Sequence, residues 1–374
     1  MSPEKSVDPR SLAADRLARA QALMVDEGVD LLVIGPSADQ FYFIGHRLPL
    51  TERLSALMIP AEGSPAMLVP KLQEPLVADL PFDAEIVCWD ETENPIAKLA
   101  ARASNARAQT VAVNDHLWSG FLLRLQIELP GVQYRNGGEV VSRLRRIKDD
   151  SEIANLREAN RRFDLLWAEF CETESLIGKT EYEIQKRLRE MITEQGMDEI
   201  GWCDVGSGPN GASPLHHWSH RVVERNDPIV IDFAASLNGY WADTCRTPVA
   251  GDPDPEFIKI YDIDRAAHEA AQAAVRPGVT CQEIDRAARL VIEDAGYGTF
   301  FVHRVGHGIG IDAHEHPYMV EGNDMPLELG MTFSNEPGIY IPGRWGVRIE
   351  NITAVTSDGC EVFSTAPKEL VCLP

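Results

Sequence analysis

The chain has 374 residues, too many for one ordinary core, so two domains are expected. Hydrophobic residues make up 44% and charged residues 25%, the balance of a soluble globular protein, and no run of about 18 apolar residues marks a membrane span. A formal charge of −23 excludes nucleic acid and anionic membrane as partners, since both need basic surface, and suits an enzyme whose carboxylates hold cations.

Residues 1–15 are charged and lack an apolar stretch, so they do not read as a secretory signal. The seven cysteines (Cys88, Cys171, Cys203, Cys245, Cys281, Cys360, Cys372) are odd in number and form no CxxC pair. That pattern predicts free thiols in a cytoplasm.

Along the first 140 residues, helix and strand patterns alternate. Residues 11–28 predict a helix stopped by Gly28, and residues 31–34 a short strand. Strands at 56–59 and 66–69 flank the turn Ala61-Glu62-Gly63-Ser64, a hairpin signal. Further strands are predicted at 85–89, 110–113 and 132–134, which gives an α/β domain over residues 1–140. Asn136-Gly137-Gly138 and the charged run 143–150 mark a boundary, and a second domain is expected over 149–374. It opens on a long helix with Asp149 and Glu152 placed as a capping box.

An internal repeat organises this second domain. Residues 178–196 and 278–296 share seven of 19 positions at an offset of 100, including Gly178, Thr180, Glu183, Ile184 and Gly196. Each copy predicts a helix with a Thr-x-x-Glu capping box and a glycine stop. The register continues into Val205-Gly206-Ser207-Gly208 and Val305-Gly306-His307-Gly308, which points to a duplicated half-domain.

Seven of the ten histidines fall in two windows: His216, His217 and His220, then His303, His307, His314 and His316. Carboxylates lie near them in apolar strand context, where an unpaired charge is costly. Asp232 closes the run Ile229-Val230-Ile231, and Asp243 follows eleven residues later. Between them Asn238-Gly239 predicts a type I′ hairpin that sets Asp232 opposite Cys245 and Asp243 opposite Ala234, all four side chains on one face. Two carboxylates so placed repel unless a cation lies between them. An aspartate satisfied by backbone amides near a turn would account for Asp243 alone but not for the pair. Glu336 and Glu350, fourteen residues apart, fit a second hairpin centred near Gly343, and Gly306-His307-Gly308-Ile309-Gly310 places an imidazole where backbone can approach closely.

In this order, Asp-x11-Asp, GHGxG, His314-Glu315, Glu336-Pro-Gly-x-Tyr340 and Gly346-Val-Arg348-x-Glu350 resemble the creatinase/prolidase/methionine aminopeptidase family. The resemblance implies an α/β N-terminal domain followed by an α+β, duplicated pita-bread catalytic domain. It further implies two divalent metal ions, held by Asp232, Asp243, His307, Glu336 and Glu350, with Asp243 and Glu350 bridging. Mostly oxygen ligands with one imidazole suit Mn²⁺ ahead of Co²⁺, Fe²⁺ or Zn²⁺. Glu336 is expected to shuttle a proton, and His303, His314 and His216 to contact substrate, with His217 the other choice for the last role and His220 solvated. Arg348 is expected to orient carboxylates by a bidentate contact. The implied substrate is a small proline-containing peptide, the implied reaction Xaa-Pro hydrolysis by a dipeptidase, and the implied assembly a homodimer. An Xaa-Pro aminopeptidase, a non-peptidase relative acting on a small zwitterion, and a metal-free binding protein are the competing readings.

Four positions depart from the family pattern: Ala234 replaces a usual glycine, Cys245 a usual threonine, Asn226-Asp227 a Gly-Asp, and His216 lies one residue nearer the first ligand. Beside two cations the Cys245 thiol is expected either to favour its thiolate or to pack as a small hydrophobe.

Overall fold

A computed structural model describes residues 8–374. The first seven residues of the charged N-terminal stretch lie outside the described residues. The chain divides into two compact units, one ending at Arg145 and one beginning at Arg146.

The first unit holds α1 (Pro9–Glu27), β1 (Leu31–Ile34), α2 (Ala38–Ile44), β2 (Ala56–Pro60), β3 (Ala66–Pro70), β4 (Glu85–Trp89), α3 (Pro95–Asn105), β5 (Thr110–Val113), α4 (Ser119–Glu128), β6 (Gln133–Asn136) and α5 (Gly138–Arg145). Its strands form one mixed sheet in the order β4-β3-β2-β1-β5-β6. The expected hairpin is the antiparallel β2–β3 pair, whereas β1–β5 and β5–β6 run parallel, the latter across the helix α4. Gly28 ends α1 in the left-handed region, at φ 65°, as its position predicts.

The second unit begins with α6 (Asp150–Thr173), α7 (Glu181–Glu194), β7 (Glu199–Ser207), β8 (Ile229–Leu237), β9 (Tyr240–Arg246) and β10 (Val249–Ala250). It continues with α8 (Pro255–Ala274), α9 (Cys281–Asp294), β11 (Gly306–Gly308), β12 (Glu315–Met319), β13 (Thr332–Asn335), β14 (Gly338–Ile341), β15 (Trp345–Arg348), β16 (Asn351–Val355), β17 (Cys360–Val362) and β18 (Cys372–Leu373). The duplication is visible in three dimensions. Thr180–Glu183 and Thr280–Glu283 both close reciprocal capping boxes at the starts of α7 and α9. Each half buries its helices on its own strands: α6 and α7 on the three-stranded sheet β7-β8-β9, α8 and α9 over the five-stranded sheet β12-β11-β13-β16-β17. Two apolar cores result, one around Phe163, Leu188 and Phe233 and one around Phe257, Ile284 and Phe333.

Two local features bring the halves together at the site. Asn238 and Gly239 take φ of 53° and 81°, as a type I′ turn requires, and the turn sets the β8–β9 register at Asp232↔Cys245 and Ala234↔Asp243. In the other half, β13–β16 pairs Asn335 with Asn351 and β14–β15 pairs Gly338 with Arg348. Glu336 and Glu350 fall at the break between these two ladders, where Pro337 has no N–H to continue the pairing.

Candidate metal centre

The seam between the halves is built from backbone. The Glu350 amide donates to the Cys245 carbonyl at 3.0 Å, which ties the start of β16 to the end of β9. Arg246, 2% exposed, clamps the same junction: it donates to the carbonyls of Cys245 (2.9 Å), Glu350 (2.5 Å), Pro367 (3.1 Å) and Ala366 (3.1 Å) and to Asn351 Oδ1 (2.7 Å). Burial among neutral acceptors pulls the Arg246 guanidinium below its ordinary value. The Glu336 amide donates to the Val305 carbonyl at 2.8 Å, and Ser334 Oγ bridges the His307 amide (3.0 Å) and Glu336 Oε1 (2.9 Å).

These ties gather all five residues expected as ligands. Asp232, Asp243 and Glu350 form one group whose ligand atoms lie within 4.8 Å of one another; His307, Glu336 and Glu350 form a second. Asp243, His307 and His314 form a third, so His314, expected to touch substrate, also stands within ligand reach. Its ring lies 3.8 Å from that of His307, centroid to centroid.

The site fits cations on its own chemistry. Among the described residues Asp243 Oδ1 and Glu350 Oε1 are buried without a hydrogen-bond partner, which is costly for a carboxylate. Burial, and then the charges of neighbouring carboxylates, push both groups well above the carboxylate range. Burial acts on Glu336 in the same direction. There a 3.1 Å contact with His307 Nε2, followed by the charges of His307, His303 and Arg348, wins and holds it low. A divalent cation would favour the ionised form of all three. Asp232 would complete one cation site and His307 with Glu336 the other, with Asp243 and Glu350 shared by both, since Asp243 also lies 3.9 Å from His307 Nε2.

Partners outside the ligand set orient it. Trp202 Nε1 donates to Asp232 Oδ1 at 2.8 Å, and Arg348 Nη2 donates to Asp232 Oδ2. The expected bidentate grip of Arg348 on one carboxylate is not what forms. Its other terminal nitrogen donates to Tyr340 Oη at 2.7 Å and to the Pro214 carbonyl at 3.3 Å, because Tyr340, on β14, lies across the hairpin from β15.

His303 lies against this pair. Its Nδ1 faces the Arg304 carbonyl at 2.7 Å, an acceptor only, so that nitrogen carries the proton. Nε2, 2.9 Å from Tyr340 Oη, is then the acceptor and the tyrosine hydroxyl the donor. Burial draws the His303 imidazole below its ordinary value and keeps it neutral. A direct contact with a scissile carbonyl therefore requires His303 to exchange one of these partners.

The two adjacent histidines diverge. His216 Nε2 donates to the buried Glu181 at 2.9 Å, on the helix side of the loop. His217 Nδ1 donates to Asp204 at 3.0 Å, and Asp204 pairs across β7–β8 with Asp232. Neither joins a ligand group among the described residues, and His220 packs, exposed, against Tyr182 and Trp218. Cys245 faces Asp232 as its register predicts, but it is fully buried, joins no ligand group among the described residues, and burial raises its thiol well above the ordinary value. Its burial and its place outside the ligand groups suit the packing reading of Cys245.

Sequence reasoning missed Trp202, Glu181, Asp204 and Arg246. A strand tryptophan or aspartate carries no local mark of its partner, although Glu181 directly after the Thr180 cap was a findable signal.

Residues 154–357 match metallopeptidase family M24, and residues 16–147 match the creatinase/prolidase N-terminal domain. The chain is 40% identical over 365 residues to a probable dipeptidase PepE of Mycobacterium tuberculosis, covering 96% of both proteins. It is 32% identical over 369 residues to an Xaa-Pro dipeptidase of Lactobacillus delbrueckii subsp. lactis, covering 96% of this chain and 99% of that one. The crystal structure of a recombinant prolidase from Thermococcus sibiricus superposes with a TM-score of 0.92 at 35% identity, covering 99% of this chain and 100% of that one.

Proposed function

Because the chain belongs to metallopeptidase family M24, with a creatinase/prolidase N-terminal domain and a pita-bread catalytic domain, we propose that it is a dinuclear Xaa-Pro dipeptidase. The observation that carries the reading is the complete set Asp232, Asp243, His307, Glu336 and Glu350, with Asp243, His307 and Glu350 buried, Asp232 and Glu336 half-buried, and two carboxylate oxygens unpartnered among the described residues. A binding protein without metal would have no use for such a set, and its cost would be unrelieved.

Two bound cations would lower the pKa of water and polarise the imide carbonyl. Glu336 takes the proton from the attacking water and returns it to the leaving proline nitrogen. Trp202 and Arg348 keep Asp232 in one orientation, and His303, Tyr340 and His314 line the substrate side. Four carboxylates and one imidazole suit Mn²⁺. The seven unpaired cysteines support a reducing, cytoplasmic setting. Homodimeric assembly follows the resemblance to prolidases and is checked by light scattering.

The deciding experiment is a peptide panel with added Mn²⁺. Ala-Pro and Met-Pro are cleaved, Ala-Pro-Ala is cleaved slowly, and Ala-Ala hardly at all. Glu336→Gln keeps part of the metal and loses most turnover, by about 10²–10⁴-fold, the usual worth of a general base. Equal rates on Ala-Pro and Ala-Ala would sink the proline reading, and faster cleavage of Ala-Pro-Ala would turn it into an aminopeptidase.

A further inference from the structure

The sheet β7-β8-β9 carries one more carboxylate on its metal-facing side than the site uses. In the β7–β8 register Trp202 lies opposite Ala234 and Asp204 opposite Asp232. Directly opposed residues point to the same face, so Trp202, Asp204, Asp232 and Asp243 share it. The hydrogen bond from Trp202 to Asp232 confirms the face.

Asp204 is only half satisfied by its side-chain partners among the described residues. Among the described residues its side chain accepts one hydrogen bond, at Oδ1 from His217, whose side chain is 77% exposed, and Oδ2 has no partner. Its side chain is 19% exposed, and the nearby guanidinium of Arg348 is already engaged by Asp232 and Tyr340. A strand carboxylate that is largely enclosed, beside a second carboxylate and without a fixed cation, calls for a cation from outside.

We propose that Asp204 is a specificity-determining residue that selects dipeptides whose N-terminal residue has a cationic side chain, a guanidinium best of all. This rests on the dipeptidase reading above. A dipeptide is a zwitterion, and an acidic wall takes its ammonium end and repels its carboxylate. The α-ammonium is separated from the scissile carbonyl by a single carbon, which keeps it beside Asp232. Asp204 stands one strand further from the seam with Glu350, a spacing of about 4.8 Å, which suits the longer reach of a side-chain cation better than the α-ammonium. A guanidinium there meets a carboxylate with a free oxygen, and Trp202, two residues along the same face, adds aromatic surface. His217 yields Oδ1 at little cost, because it stands on an exposed loop.

The test is kcat/KM for Arg-Pro, Lys-Pro, Leu-Pro and Asp-Pro on the Mn²⁺-loaded enzyme and on Asp204→Asn and Asp204→Lys. The wild type is expected to favour Arg-Pro over Leu-Pro by about tenfold, the worth of one modest charge-assisted contact. The near-isosteric Asp204→Asn brings that ratio close to one, and Asp204→Lys shifts preference toward Asp-Pro. An unchanged ratio in Asp204→Asn overturns the assignment. So does an equal loss on all four peptides, which would make Asp204 structural or a partner of the α-ammonium. If the wild type cleaves Xaa-Ala faster than Xaa-Pro, the proline reading fails, and the same ratio taken on Arg-Ala and Leu-Ala still decides the role of Asp204.

Discussion

Asp243 and Glu350 come from opposite halves of the duplicated unit, yet their ligand oxygens lie within 4.8 Å of one another at 2% and 1% exposure. Like charges so close and so dry oppose folding unless a cation joins them. The metal-free protein is therefore expected to be markedly less stable than the loaded one. At a cation concentration about 100-fold above Kd, each bound ion adds about 2.7 kcal/mol. Asp243→Asn is expected to raise the Tm of the chelated protein and to abolish the rise on adding Mn²⁺. Scanning calorimetry with and without chelator checks this, and a Mn²⁺-dependent rise surviving in Asp243→Asn would refute the bridging role.

Trp202 holds one oxygen of Asp232 through its indole N–H. Trp202→Phe keeps an aromatic ring and deletes that donor. Metal affinity is expected to fall by about 10–100-fold, the usual effect of removing a group that orients a ligand. Turnover at saturating Mn²⁺ is expected to fall far less. Isothermal titration against the kinetics at saturation separates the two effects, and unchanged affinity would reduce Trp202 to packing.

Glu315, beside His314, forms a 2.7 Å ion pair with Lys148, with side chains 7% and 2% exposed. Breaking one side strands a buried charge, so Lys148→Met is expected to cost about 3–5 kcal/mol. Replacing both, as Lys148→Met with Glu315→Leu, is expected to recover much of the loss. Urea unfolding of the two variants measures this, and a double variant no better than the single would show that shape rather than charge is the issue.

Glu181 links α7 to the histidine loop through five hydrogen bonds, from the Ser207 amide and hydroxyl, Asn210, His216 and Ser219. Burial pushes its carboxyl up, but hydrogen bonds led by Ser219 and the Ser207 amide prevail and hold it below its ordinary value of 4.5. A lowered folded value means that the stabilisation is complete above about pH 4.5 and is lost as pH falls through the folded value. Glu181→Gln is expected to cost about 1.5–3 kcal/mol at pH 7, the worth of hydrogen bonds to a charge. Its deficit should shrink toward acid pH. Tm recorded from pH 7 down to about 3 tests the sign, and a deficit that grows in acid would reverse it.

Much of the centre was legible in the sequence because it is local. The Asn238-Gly239 turn admits one hairpin register, and that register alone places Asp232, Cys245, Asp243 and Ala234 on one face. The capping boxes of α7 and α9 involve residues three apart, and the continuous pairing phase around Gly343 sets Glu336 beside Glu350. What only the tertiary structure decided depends on how distant strands meet. The β7 register shifts between Ile200 and Trp202, next to Gly201, where a Cβ would come within 2.6 Å of the Trp241 ring, and that shift sends Trp202 and Asp204 toward the metal side. Arg246 clamps carbonyls more than a hundred residues away, and Arg348 turns to Tyr340 because a hairpin sets them across from each other. His216 and His217 are neighbours in the chain but serve Glu181 and Asp204 on different sides of the loop. Turn chemistry and periodicity act over a few residues and can be read from the order of residues, whereas the partner of a buried polar side chain is chosen by packing between segments that the order alone does not bring together.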